Sequence, residues 1–341
     1  MGDERRQLNA IVTDSSPGMA AYVTGQKSNN NQQGVFPDRT DDAFDNPREE
    51  YLSELLRRTR GPGFGMGIVT TADVTDSTPA ANAVHTSDRY AGAGIAARYF
   101  DERENSGLRV LLGGGSRHFL PKAHGGTRPD TRNLVGEFAD AGFTTMASGS
   151  EFSALRAKAE VPDRLLGLFH PGHLPVAFDK VGAGRYSDEL ALPRNASYRD
   201  TPMLEDMTSL ALASLSAHSP DGFYLMVEGA SIDKRAHAAD AERSIWDVIE
   251  FDRAVHVALE FARRTNSDGD PGNDTLVIVT ADHDALLGAL QRTLVRGGVL
   301  GSGLLKALRG GSMSVLNVAA TCAGAGMIVG VVTLTGLGLK F

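Results

Sequence analysis

Five short apolar runs, GMGIVTT, LRVLLGG, LLGLF, FYLMVEG and TLVIVTA, punctuate the chain and alternate with stretches of helical character. Each is long enough for one buried strand and is bounded by glycine or polar residues. Strands of this kind separated by helices predict a three-layer α/β/α fold around a mostly parallel sheet covered on both faces. The chain has 341 residues, 41% of them hydrophobic and 22% charged, enough to bury a large core. A net charge of −8 argues against a nucleic-acid partner, and the single Cys322 excludes an internal disulfide.

The C-terminal ends of two of these runs carry chemistry. Glu228 closes FYLMVEG, at the end of a strand that in an open α/β sheet faces the ligand crevice. If a helix follows, Asp233 and His237 lie one turn apart and can converge on a cation, although that spacing also suits a solvated helix face. The run from Thr275 ends in adjacent Asp282 and His283, which at a turning strand end can both reach a metal or simply form a turn. Taken together, the two strand ends offer carboxylates and imidazoles for more than one divalent ion.

Two further segments complete the set. Ser15 precedes a small-residue helix, where a hydroxyl is either a plain N-cap or is placed among backbone N–H groups that favour an anion. The segment Thr71 to Arg89 supplies oxygen ligands suited to magnesium and an arginine able to clamp a phosphate with two N–H groups.

These motifs, VTDSSPGMAAYVTG, TADVTDSTPAANAVHTSDR, LLGGGSRHFLP, LLGLFHPGHLPVAFDK, GFYLMVEGASIDKRAHAAD, IEFDRAVHVALEFA and TLVIVTADH, occur in the order in which the alkaline phosphatases carry them. The chain resembles that family over roughly residues 10–284. The resemblance implies that Ser15 is the nucleophile of a phosphoserine intermediate and that Arg89 holds the phosphoryl oxygens. It implies magnesium ligands at Thr78 and Glu228 with Asp76 beside that ion, one zinc at Asp233 and His237, a second zinc at Asp282 and His283, and a water-mediated phosphate contact for Lys234. The implied activity is hydrolysis of a phosphate monoester by double in-line displacement, with two zinc ions and one magnesium ion as cofactors. An exported protein, periplasmic or extracellular, is implied as well.

The sequence departs from the family pattern in three places. The Gly-Asp-Gly strand that normally opens these enzymes and supplies a bridging carboxylate has no counterpart; Met1-Gly2-Asp3 runs straight into Glu4-Arg5-Arg6. No histidine follows His283, so the family's downstream zinc ligand is missing and each zinc set lacks one partner. No apolar signal-peptide region opens the chain, which fits a missing N-terminus. A non-catalytic, truncated or chimeric product is therefore the alternative expectation.

The sequence divides into an alkaline phosphatase-like domain, 1–284, and an apolar tail, 285–341. From Gly310 to Leu339 the tail has no charged residue, and Gly326 to Gly330 forms a GxxxG. The expectation is a hydrophobic helical tail that contacts or spans a membrane at 310–339, with Arg292, Arg296, Lys306 and Arg309 on the cytoplasmic flank; a buried helix or a poorly packed tail is the alternative. The tail is similar to a fragment of a tripartite (TRAP-type) dicarboxylate transporter permease. Elsewhere, KSNNNQQG and PDRTDDAFDNPREE read as surface loop before a helix at YLSELLRRTR, Asp268 to Asp274 as a turn, and His170 and His173 as a loop pair, which the family resemblance implies lies near the substrate opening. Whether the chain forms a homodimer is left open by the sequence.

Overall fold

Alternate residues of the central strands point to opposite faces of one sheet, and each face has its own core. Met66, Ile68, Leu111, Tyr224 and Met226 join the first core; Val69, Val110, Leu112, Leu225 and Val227 join the second. This period of two, with both phases apolar, is why the strands read as continuous hydrophobic runs. The structure is a computed structural model that describes residues 13–38, 40–182, 198, 200–284 and 324–333.

Seven strands form the sheet: β1 (Gly65–Asp73), β2 (Leu108–Gly114), β3 (Thr144–Met146), β4 (Leu165–Leu168), β5 (Phe223–Gly229), β6 (Thr275–Asp284) and β7 (Gly324–Thr333). Their order is β3-β4-β2-β1-β5-β7-β6. All pairings from β3 to β5 are parallel, and β7 runs antiparallel to both β5 and β6. The expected mostly parallel α/β/α architecture is what the chain adopts. The helix Leu204–His218 lies so close to β1 that a Cβ on Gly67 would meet the Leu215 side chain at 2.8 Å.

The long helix Ala241–Thr265 is held to the second face by a buried ion pair. Lys180 Nζ donates to Glu250 Oε1 at 2.6 Å, and the backbone N–H of Leu204 donates to the same oxygen at 2.9 Å. Glu250 therefore ties together chain segments on either side of residues 183–197.

The tail differs from the expectation. Its described part, Gly324–Thr333, is a strand and not a helix, inserted between β5 and β6 with the GxxxG glycines on it. Its sequence explains this: glycine is a poor helix former, and Met-Ile-Val-Gly-Val-Val-Thr is rich in β-branched residues that favour pleated backbone. Among the described residues no helix is long and apolar enough to cross a membrane. The charged flank at Arg292, Arg296, Lys306 and Arg309, and the remaining tail at 285–323 and 334–341, lie outside the described residues.

The surface-loop reading of KSNNNQQG holds for its first part, where Lys27, Asn29 and Asn30 are exposed, but not for its end. Gln32 and Gln33 are buried, and Gln33 exchanges backbone hydrogen bonds with Thr86 at 2.8 and 3.1 Å. Only this end of the stretch runs inward, toward Thr86. Leu52–Arg60 is helical as expected, and Asp268 to Asp274 forms a turn in which Asp268 accepts from Asp270 N and Asn273 Nδ2.

Candidate active site

The C-terminal ends of β1, β5 and β6 and the start of the helix Ser15–Thr24 meet at one crevice. Asp14 caps that helix, its Oδ1 accepting from Ser16 N at 2.9 Å, which leaves Ser15 as the first helical residue. The helix is pressed against β6: a Cβ on Gly18 would lie 2.7 Å from the Asp282 carbonyl oxygen. This contact delivers Ser15 to the strand's end, where Ser15 Oγ and His283 Nε2 are hydrogen-bonded at 3.0 Å.

Arg89 is braced by two carboxylates. Its Nη1 donates to Asp14 Oδ1 at 3.0 Å and its Nη2 to Asp76 Oδ1 at 3.2 Å. Asn31 completes the brace through its backbone, donating from N to Asp14 Oδ2 at 2.8 Å and accepting from Arg89 N at 3.0 Å. Its φ of +69° is left-handed, a conformation that asparagine tolerates better than most residues. The guanidinium plane is thus fixed next to Ser15, a placement a lysine ammonium could not reproduce.

Asp76 itself caps the short helix Ser77–Ala80 and accepts from Lys234 Nζ at 2.7 Å. Burial alone would raise its pKa, but the Lys234 and Arg89 cations outweigh that effect and hold the carboxyl well below the usual range. Lys234 is stabilised as a cation by the same contact, its pKa raised against the opposing effect of burial.

At Glu228 the Lys234 cation is outweighed by burial. Glu228 is paired in register with Thr70, and Thr70 Oγ1 donates to Glu228 Oε2 at 2.5 Å. Burial, reinforced by the nearby Asp76 and Asp282, pushes the Glu228 carboxyl up to about 8. Asp282 is pushed up to about 7, again by burial first and by Asp233 second. Thr78 Oγ1 donates to Asp282 Oδ2 at 3.3 Å. On the helix Ser231–His237, Asp233 Oδ1 and His237 Nε2 stand one turn apart at 3.1 Å.

The crevice therefore gathers Ser15, Arg89, Asp76, Thr78, Glu228, Asp233, Lys234, His237, Asp282 and His283 from four separate chain segments. Carboxylates that repel one another in a buried setting, with imidazole and hydroxyl beside them, form a donor set that suits hard and borderline divalent cations. The donors fit metal ions as pairs: among the described residues no three His, Cys, Asp or Glu side chains group closely enough to hold a metal by themselves.

Three residues join the site that the motifs did not single out. Asp14 stands inside the Ser15 motif, and its position before a helix start was a signal for a cap; its pairing with Arg89, 75 positions away, was not visible. Asn31 was hidden in a polar stretch. Asp73, at the end of β1, is buried, and its backbone N–H donates to His173 Nδ1 at 2.9 Å, bringing the His170 to His173 loop to the rim.

The alkaline phosphatase family model matches residues 2–335. The chain is 34% identical to the streptomycin-6-phosphate phosphatase of Streptomyces griseus, covering 90% of this chain and 71% of that one. It is 34% identical to alkaline phosphatase H of Pseudomonas aeruginosa, covering 81% of this chain and 58% of that protein, and 30% identical to the repressible alkaline phosphatase of Saccharomyces cerevisiae, of which it spans only 46%. Among solved structures, the Thermus thermophilus alkaline phosphatase superposes with a TM-score of 0.62 at 30% identity, over 80% of this chain and 48% of that one. A His-to-Glu mutant of the TAB5 alkaline phosphatase, with magnesium bound in its M3 site, shares the fold at a TM-score of 0.57 and 24% identity, over 79% of this chain and 63% of that one. The chain thus spans about half to two thirds of the length of most of these relatives. A family match over nearly every residue, on a fold that brings the family's motifs to one crevice, places this chain in the alkaline phosphatase family.

Proposed function

We propose that the chain is a phosphomonoesterase that transfers a phosphoryl group to Ser15 and then to water. The observation that carries this reading is the Ser15 hydroxyl at a helix N-terminus, 3.0 Å from His283 and next to an arginine fixed by Asp14 and Asp76. A phosphoryl group at that point faces backbone N–H groups and the positive end of the helix dipole. Arg89 holds its peripheral oxygens in a defined plane, and Asp14 and Asp76 keep that plane from swinging away. Lys234, anchored on Asp76, adds positive charge on the same side. Ser15 attacks phosphorus in line with the ester oxygen, its proton passing to a neighbouring base; the alcohol leaves, and water then displaces the serine oxygen.

In this reading Thr78 and Glu228, with Asp76 beside them, would hold magnesium, Asp233 and His237 one zinc, and Asp282 and His283 the other. Bound zinc supplies Lewis-acid stabilisation to the serine and leaving-group oxygens. The test is zinc- and magnesium-dependent release of p-nitrophenol from its phosphate ester at alkaline pH. Full activity in Ser15→Ala would sink the mechanism. A second, non-catalytic reading is favoured by the pairwise grouping of the metal donors. It predicts weak zinc binding by calorimetry and no turnover in the same assay.

A further inference from the structure

Asp73 holds two elements of the rim at once. Its backbone N–H donates to His173 Nδ1 at 2.9 Å, while its carboxylate accepts from Thr75 N and Thr75 Oγ1 and stands 3.4 Å from Arg117 Nη2. The loop that carries His173 is fixed from both sides: Gly115 N donates to His170 O and Gly172 O at 2.8 and 2.9 Å, and Leu174 N donates to Thr71 O at 2.9 Å.

A backbone N–H can only donate, so His173 Nδ1 accepts, and the neutral ring must carry its proton on Nε2. Burial of the ring's inner edge, followed by the nearby Lys234 ammonium, holds the His173 pKa below its ordinary value, which keeps the ring neutral in neutral and alkaline solution. The residue as a whole remains exposed, whereas Arg89 and Lys234 keep only 17% and 24% of their side chains in solvent. His173 is thus more open to solvent than Arg89 and Lys234 while near enough to Lys234 and Asp76 to feel their charges, so an ester whose phosphoryl is gripped there would extend its alcohol portion toward this rim.

The chemistry of this part of the rim selects the kind of alcohol. Arg117 donates from Nε to His118 Nε2 at 3.1 Å and leans on Asp73, so its charge is balanced locally. A second anion gains little there, but a neutral donor suits a hydroxyl or ether oxygen.

We propose that His173 is a substrate-contacting, specificity-determining residue that donates from Nε2 to an oxygen of the alcohol portion, favouring phosphate esters of polyhydroxylated alcohols over simple aryl esters. The inference rests on the phosphatase reading above. Two variants separate its parts. His173→Asn keeps an acceptor for the Asp73 N–H but loses the distal donor; His173→Gln keeps a distal N–H. With glucose 6-phosphate and phenyl phosphate as probes, His173→Asn should lower kcat/KM for the sugar ester roughly fivefold, mainly through KM, and leave the aryl ester within about twofold, the loss of one neutral hydrogen bond. His173→Gln should recover part of the loss. Equal effects on both esters, or none on either, overturn the proposal. If the wild-type chain hydrolyses neither ester, the phosphatase reading falls, and calorimetric titration with the same two esters decides the inference: a preference for the sugar ester that His173→Asn abolishes supports it, and its absence overturns it. The ring's 15N shifts provide a readout independent of turnover, since a proton on Nδ1 at pH 8 would also overturn it.

Discussion

Ser15 and His283 are 268 positions apart in the chain, yet Oγ and Nε2 meet at 3.0 Å. The contact depends on Gly18, because the helix that starts at Ser15 touches the Asp282 carbonyl where any side chain on residue 18 would stand. Gly18→Ala should displace the helix by a few tenths of an ångström and lower kcat roughly tenfold or more, since misplacement of a nucleophile on that scale is costly. Steady-state kinetics with p-nitrophenyl phosphate would show it; wild-type kcat in a folded variant would contradict the role given to the close approach.

Asp14 has two duties, capping the Ser15 helix and bracing Arg89. Asp14→Ala should cost about 1 kcal/mol of stability from the lost cap. It should also weaken inhibition by inorganic phosphate, because Arg89 loses one of its two anchors. Asp14→Asn retains an acceptor for Ser16 N, so it should restore most of the stability but not the phosphate affinity. Denaturant titration and inhibition constants measured on both variants separate the two effects.

The pair Lys180 and Glu250 is almost completely buried, with 2% and 1% of the two side chains exposed. Lys180→Met leaves the Glu250 carboxylate without its counter-ion and should destabilise the fold by about 3–5 kcal/mol. Adding Glu250→Gln removes the stranded charge while keeping an acceptor for Leu204 N, so the double variant should be more stable than Lys180→Met alone. Urea unfolding of the three proteins tests the order.

Asp247, one turn before Glu250, is pushed up to about 7 by burial first and by the Glu250 charge second; the Ala177 N–H, Lys180 and Arg235 offset this only in part. A carboxyl raised in the folded state contributes stability that is fully present below its unfolded pKa of about 4 and is lost as pH rises through about 7. The upper bound on that loss is on the order of 4 kcal/mol. Asp247→Asn should flatten the stability profile between pH 4 and 7 and be the more stable protein at pH 8. Thermal unfolding across that range would reveal an unchanged slope if Asp247 were ionised throughout.

The strands, their burial on both faces and their mostly parallel arrangement were legible in the sequence, because a run of apolar β-branched residues bounded by glycines has few other ways to be buried. The candidate residues Ser15, Glu228, Asp282 and His283 were legible as groups at a helix start or a strand end, and Asp233 and His237 as a pair one helical turn apart, whereas Arg89, in a turn, was picked out only by its motif. The tail was misread for an identifiable reason. An uncharged stretch of Gly, Val and Ile satisfies the length and polarity of a membrane helix, and only the hydrogen-bonding partners offered by β5 and β6 show that Gly324–Thr333 is a strand.

By itself, then, the sequence determined which segments are buried and which chemical groups stand at their ends, because both follow from local pattern. Only the tertiary structure decided which of those groups touch. The pairing of Arg89 with Asp14 and Asp76, the backbone brace that Asn31 supplies from its loop, and the pinning of His173 by Asp73 all join residues from separate chain segments. Such contacts are set by how helices and strands pack across tens of residues, and no local pattern encodes that distance.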